Sequence, residues 1–211
     1  MSRNATFLFA VAFALVLVSL WRWPRGGEAA PELALGEEPT QWELADAEDV
    51  PIERDGVAYT LVKTHRYRVV GEVLSSATYR VFFANDLYDV DLALAWGPEV
   101  EELKARFSFR QDARWLFWQS DTPVSDEERR WVTTHTGNQH LIPAEGRAEL
   151  DKAIRWAEEG DLVAIEGWLV QIRGPDSRTL ARSSTRRDDS GNGACEIVLV
   201  ESFQNGGTVW R

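Results

Sequence analysis

Residues 5–20 carry no charge, and only Thr6 and Ser19 interrupt the apolar side chains, with Arg3 in front and Arg22 behind. About 20 apolar residues cross the hydrocarbon layer of a bilayer, and Trp21 and Trp23 extend the usable length as headgroup-level anchors. The run therefore fixes topology first, because everything after it folds on one side of a membrane. A cleaved export signal is the rival reading. The exit from the apolar run is Leu20, Trp21, Arg22, Trp23 and Pro24, which offers no small-x-small cleavage site before residues 26–30. An uncleaved signal-anchor over residues 1–25 is favoured, with residues 5–23 in contact with lipid. Arg3 faces Arg22 and Arg25 across the run, so charge does not set orientation. The order of charge, apolar run and soluble domain places the C-terminal domain outside the cytoplasm, on the periplasmic face of the inner membrane.

Charge divides the rest. Residues 28–55 hold ten acids against Arg54 alone, together with Pro31, Pro39 and Pro51. Residues 26–55 are therefore expected to form an acidic flexible tether, extended by self-repulsion. Beyond residue 55 the chain carries 24 acids and 19 bases, with no basic footprint of the kind that neutralises phosphate, so no nucleic-acid partner is expected. Ten Trp, nine Phe and 44% hydrophobic residues give residues 56–205 ample area for one globular core, followed by a tail at 206–211. The single cysteine, Cys195, excludes an intrachain disulfide.

Periodicity predicts mostly strands. Residues 57–63, 67–74 and 79–84 are rich in Val, Tyr and Phe between short polar breaks, and Gly71 inside the second marks a bulge or a close backbone approach. Residues 85–96 alternate less cleanly, a short acidic turn follows at 99–104, and 113–119 reads as a further strand. Ser125 and Glu128 form a capping box that opens a short helix ending near Val132. Residues 147–159 place Leu150, Ile154 and Ala157 at helical spacing, with Gly160 beyond. Residues 162–172, 179–184 and 195–203 return to strand pattern. The expectation is a mainly β fold with two short helices, α+β in class: a small, partly open β-barrel of the oligonucleotide/oligosaccharide-binding (OB) type or a related sandwich.

Two polar stretches stand out on this scaffold, HTGNQHLIP at 135–143 and SSTRRDDSGNGACE at 183–196. Together with DLALAWG at 91–97 and RWLFW at 114–118, they resemble a family of uncharacterised, membrane-anchored bacterial proteins. The resemblance covers roughly residues 65–203 and implies membrane attachment without assigning an activity, cofactor or partner.

The residues themselves nominate chemistry. His135, His140 and Asp188 are candidate metal ligands, although histidines five apart do not share a helical face and one cysteine makes no paired-thiolate site. The glycine-rich stretch lacks the periodic ligands of an EF-hand. HLIP before a helix resembles a nuclease pattern, yet the helix at 147–159 has no Asn or His to hold an ion. Ser183 and Ser184 lack the G-x-S-x-G elbow of a hydrolase serine. Cys195 is a candidate nucleophile if His135 or His140 lies beside it. Asn138, Arg186, Asp188, Asp189, Glu196, Trp96 and Trp118 are candidate binding residues, with the competing reading that the loop residues bond one another and the tryptophans fill the core. The leading expectation is a binding or assembly module with an envelope protein partner. The alternative is a metal-dependent or thiol-based hydrolase using His135, His140 and the 188–196 loop.

Overall fold

The computed structural model describes residues 24–79, 87–88 and 90–211. The apolar run at 5–20 and most of the strand expected at 79–84 lie outside them. No helix among the described residues is long and apolar enough to cross a membrane.

Among the described residues the chain is mainly β, with three short helices where the sequence predicts two. Eleven strands are described: β1 (Glu28–Ala29), β2 (Thr40–Arg54), β3 (Val57–Thr78), β4 (Val90–Ala95), β5 (Ser108–Asp112), β6 (Trp115–Gln119), β7 (Thr136–Pro143), β8 (Leu162–Arg173), β9 (Thr179–Arg182), β10 (Glu196–Asn205) and β11 (Thr208–Trp210). The helices are α1 (Val100–Arg106), α2 (Asp126–His135) and α3 (Ala148–Trp156). Nine strands form one mixed sheet, and β5 and β6 make a separate hairpin.

Pairing within the sheet returns to its starting point. β3 pairs with β4, β4 with β7, β7 with β10, β10 with β8, and β8 with β3; only the β7–β10 contact is parallel. Two glycines allow this curvature. A Cβ on Gly167 would sit 2.0 Å from the Leu199 carbonyl oxygen, and one on Gly71 2.7 Å from that of Ala95. No other residue fits so close to backbone, and the glycine read from sequence inside β3 marks one of these approaches. Inside the ring pack Tyr67, Leu92, Leu94, Leu141, Ile165 and Phe203, closed by Leu150 and Ile154 of α3. A second cluster, Leu103, Phe107 and Val132, covers Ala93 and Ala95 on the outer face of β4.

Several local expectations change under tertiary pairing. Residues 40–54 are not a free tether: they pair along β3, and Ile52 is buried. Val50 and Ile52 supply one apolar face, while the acids lie mostly on the solvent side, where charge protects an edge strand from pairing with other chains. The polar break at 64–66 is a register shift within the continuous β3, bonded on both edges. Most of the polar stretch at 135–143 is a central strand, β7, whose polar side chains find buried partners. The acidic turn at 99–104 is α1. The tail contributes β11 and places Trp210 in the core. The capping box forms as read, Ser125 Oγ accepting from the Glu128 amide at 3.2 Å and Glu128 Oε2 from the Ser125 amide at 2.8 Å.

Candidate functional site

Register places the site. In the antiparallel β4–β7 pair Asp91 lies opposite His140, and in the parallel β7–β10 pair Gln139 aligns with Glu196 and His140 with Ile197. Alternation sends Asp91, Asn138, His140 and Ile197 to the outer face and Leu92, Gln139, Leu141 and Glu196 inward.

On the outer face Asp91 is fully buried. Its Oδ1 lies 2.7 Å from His140 Nδ1 and 3.0 Å from an Arg114 guanidinium nitrogen. The His140 contact is close but is not an aligned hydrogen bond, and among the described residues Asp91 Oδ2 has no hydrogen-bond partner. The imidazole stacks on Tyr88 with centroids 4.6 Å apart, and the Arg114 guanidinium lies over the rings of Tyr79 and Tyr88. Burial opposes charge on His140, but Asp91 and the sulfur of Cys195 beside the ring outweigh it and push its pKa up to about 9. The ring is therefore an imidazolium at neutral pH.

Arg114 reaches this point from the tip of the β5–β6 hairpin. The two turn residues, Ala113 and Arg114, have φ of +47° and +75°, a left-handed conformation normally left to Gly or Asn. Bonds hold the turn in place: the Arg114 amide donates to Tyr79 Oη at 3.2 Å, and its carbonyl accepts from Asn138 Nδ2 at 3.0 Å. Asn138 Nδ2 also lies 3.8 Å from Cys195 Sγ. Backbone strain of this kind persists where surrounding contacts over-determine it, which is common at functional sites.

The hairpin tip, β7 and the 183–195 loop enclose a cavity of about 490 Å³ lined by Tyr88, Arg114, His140, Arg182, Asn192 and Cys195. A smaller depression of about 110 Å³ lies alongside and shares Trp115, Gly191 and Cys195 with it. Trp115 and Leu180 on the rim are 40% and 46% exposed. Arg182 is exposed and has no ion-pair partner among the described residues. Among the described residues the lining carries Arg114, His140 and Arg182 and no carboxylate; Asp91 lies buried behind Arg114 and His140.

On the inner face the polar groups bond one another. Tyr67 donates to Gln139 Oε1 at 3.1 Å, Gln139 Nε2 donates to Glu196 Oε2 at 2.9 Å, and Arg187 pairs with Glu196 Oε1. Burial raises the Glu196 pKa to about 7 against the pull of Arg187.

The remaining candidates separate from the cavity's charged cluster. His135 donates from Nδ1 to the Trp131 carbonyl at 2.9 Å at the end of α2 and packs against Gly97. Asp188 pairs with Arg186 on the surface, and Asp189 accepts from Ser184 at 2.7 Å while bordering the smaller depression. Trp96 is buried and bonds the Thr134 carbonyl; Trp118 packs edge-on to Phe107 and borders the smaller depression. No group of three metal-ligating side chains occurs among the described residues. The sequence does not single out Asp91, Tyr88 or Arg114 as site residues. One signal was present for Asp91, a lone carboxylate in an otherwise apolar run; nothing local marked Arg114. No family model, curated protein or solved structure matches the chain.

Proposed function

We propose that this chain is a membrane-anchored envelope protein of the family its motifs resemble, and that its β domain is a ligand-binding module of the OB type. The five-strand ring, its parallel β7–β10 contact and the helix between β7 and β8 support that fold. In OB folds the face of the second and third strands and the flanking loops bind ligands, and the corresponding strands here are β4 and β7. One observation carries the binding reading: the two polar stretches meet, around Cys195, to line a cavity. Arg114, Arg182 and the His140 imidazolium select an anion; Trp115 and Leu180 offer an apolar rim. The ligand is thus a small carboxylate-bearing molecule or chain end with an apolar part.

Tryptophan fluorescence tests this. Titration with N-acetyl-leucine is expected to give saturable quenching that Trp115→Phe removes, and N-acetyl-leucinamide about tenfold weaker binding. Absence of saturation by about 1 mM, an affinity near −4 kcal/mol, overturns the reading. A C-terminal alkaline phosphatase fusion tests placement, with activity expected outside the cytoplasm.

A further inference from the structure

We propose that Cys195 is a nucleophilic thiol, with His140 as its acid–base partner and Asp91 as the positioning carboxylate, and that the cavity hosts acyl transfer from a carboxylate-bearing acyl donor. The proposal rests on the cavity reading above and adds a reaction to it. A nucleophile, a base within reach and a third group that orients the base constitute the required arrangement, whatever the fold. All three are present here: Cys195 and His140 line one cavity, and Asp91 Oδ1 lies 2.7 Å from His140 Nδ1. A misaligned Nδ1 contact is common before substrate tightens a site. Cys195 is half-buried and unpaired by any disulfide, at the start of β10 where two depressions converge.

The groups facing the pair from other elements fit the same chemistry. Arg114, from the hairpin, pairs with the same Asp91 oxygen that faces His140 and lies over Tyr88, which stacks on the imidazole. The Asn138 amide, 3.8 Å from Sγ, supplies an N–H where an acyl oxygen would gain negative charge. Arg182 stands on the rim for the substrate's carboxylate.

In the first half-reaction the sulfur of Cys195, whose proton His140 holds as the imidazolium, attacks the acyl carbonyl carbon. A C–S bond forms, the bond to the leaving group breaks, and the leaving group departs with the proton of the His140 imidazolium. In the second, neutral His140 takes a proton from water as its oxygen attacks the thioester. The C–S bond breaks, the acid is released, and thiolate and imidazolium are restored. Water is the only co-reactant.

The test uses the full chain with iodoacetamide and with the p-nitrophenyl monoesters of acetic and succinic acids. Iodoacetamide is expected to alkylate Cys195 at pH 7 at least tenfold faster than it alkylates glutathione, and His140→Gln to erase that advantage. Succinyl ester is expected to leave a succinyl thioester on Cys195, visible by intact mass, and to react faster than acetyl ester; Arg182→Ala removes the preference. Asp91→Asn should lower acylation while a thermal melt reports its folding separately. Alkylation at the glutathione rate in folded wild type, or no thioester from either ester, overturns the proposal. Cys195→Ser separates the two readings. If it still binds N-acetyl-leucine while wild type forms no thioester, the nucleophile proposal alone falls; thioester formation without N-acetyl-leucine binding retains it and removes the carboxylate-binding reading.

Discussion

Both faces of β7 carry buried polar side chains and use them in opposite ways. Inward, Gln139 is saturated: it accepts from Tyr67 and donates to Glu196, which Arg187 caps from the loop. Outward, His140 and its strand neighbour Asp91 keep an unaligned contact and an unbonded carboxylate oxygen, next to a cavity and a thiol. Burial is nearly the same on both sides. What differs is completion. A buried polar network with every group bonded specifies one register and is closed to chemistry, whereas an incomplete one beside open space is available to a ligand. Counting polar residues in the strand would not distinguish the two.

The largest expected effect lies on the closed face. Arg187→Ala leaves the Glu196 carboxylate buried without its cation and should cost about 3–5 kcal/mol at pH 8 by denaturant titration. The loss should be smaller at pH 5, where Glu196 is protonated. A pH-independent loss would show that Arg187 acts by packing alone.

Next in size are two pH windows. Glu196 is raised from 4.5 to about 7, so the folded state binds its proton more tightly than the unfolded chain does, and stability falls as pH rises from about 4.5 to 7. His140 is raised from 6.5 to about 9, so its contribution is complete below pH 6.5 and lost as pH rises through 9. Each window is on the order of 3 kcal/mol. Glu196→Gln should flatten only the lower window and His140→Gln only the upper. If one substitution flattens both, the faces are coupled and the contrast drawn between them fails.

Smaller effects sharpen the outer face. Cys195→Ser should change stability by less than about 1 kcal/mol while abolishing thioester formation, since the thiol is only half-buried and its role is chemical. Ala113→Gly relieves one left-handed residue in the hairpin turn and should stabilise the chain by up to about 1 kcal/mol. The freed tip should then hold Arg114 less firmly over Asp91, seen as slower alkylation of Cys195. Unchanged alkylation would separate the turn's strain from the site.

Legibility differed by residue and by the kind of interaction involved. Cys195, His140 and Asn138 stand out because reactive or amide side chains are conspicuous in a strand-rich chain, and a nucleophilic thiol calls for a histidine beside it. Asp91 does not, because its partner lies on another strand and its neighbours suggest only core. His135 and His140 looked equivalent in sequence. The first falls at a helix end, where a carbonyl satisfies it, and the second falls mid-strand opposite a carboxylate.

By itself the sequence determined what is encoded over a few residues: apolar alternation that makes strands, the Ser125–Glu128 cap that opens α2, helical spacing through Leu150 and Ile154, and glycine where backbones touch. Those features depend on dihedral preference and side-chain spacing along one segment. Only the tertiary structure decided that residues 40–54 pair rather than dangle, that a polar stretch is a central strand, and that Asp91, His140, Arg114 and Cys195 converge. Convergence follows from strand register and ring closure, which depend on the packing of all five strands at once and leave no trace in the neighbours of any single residue.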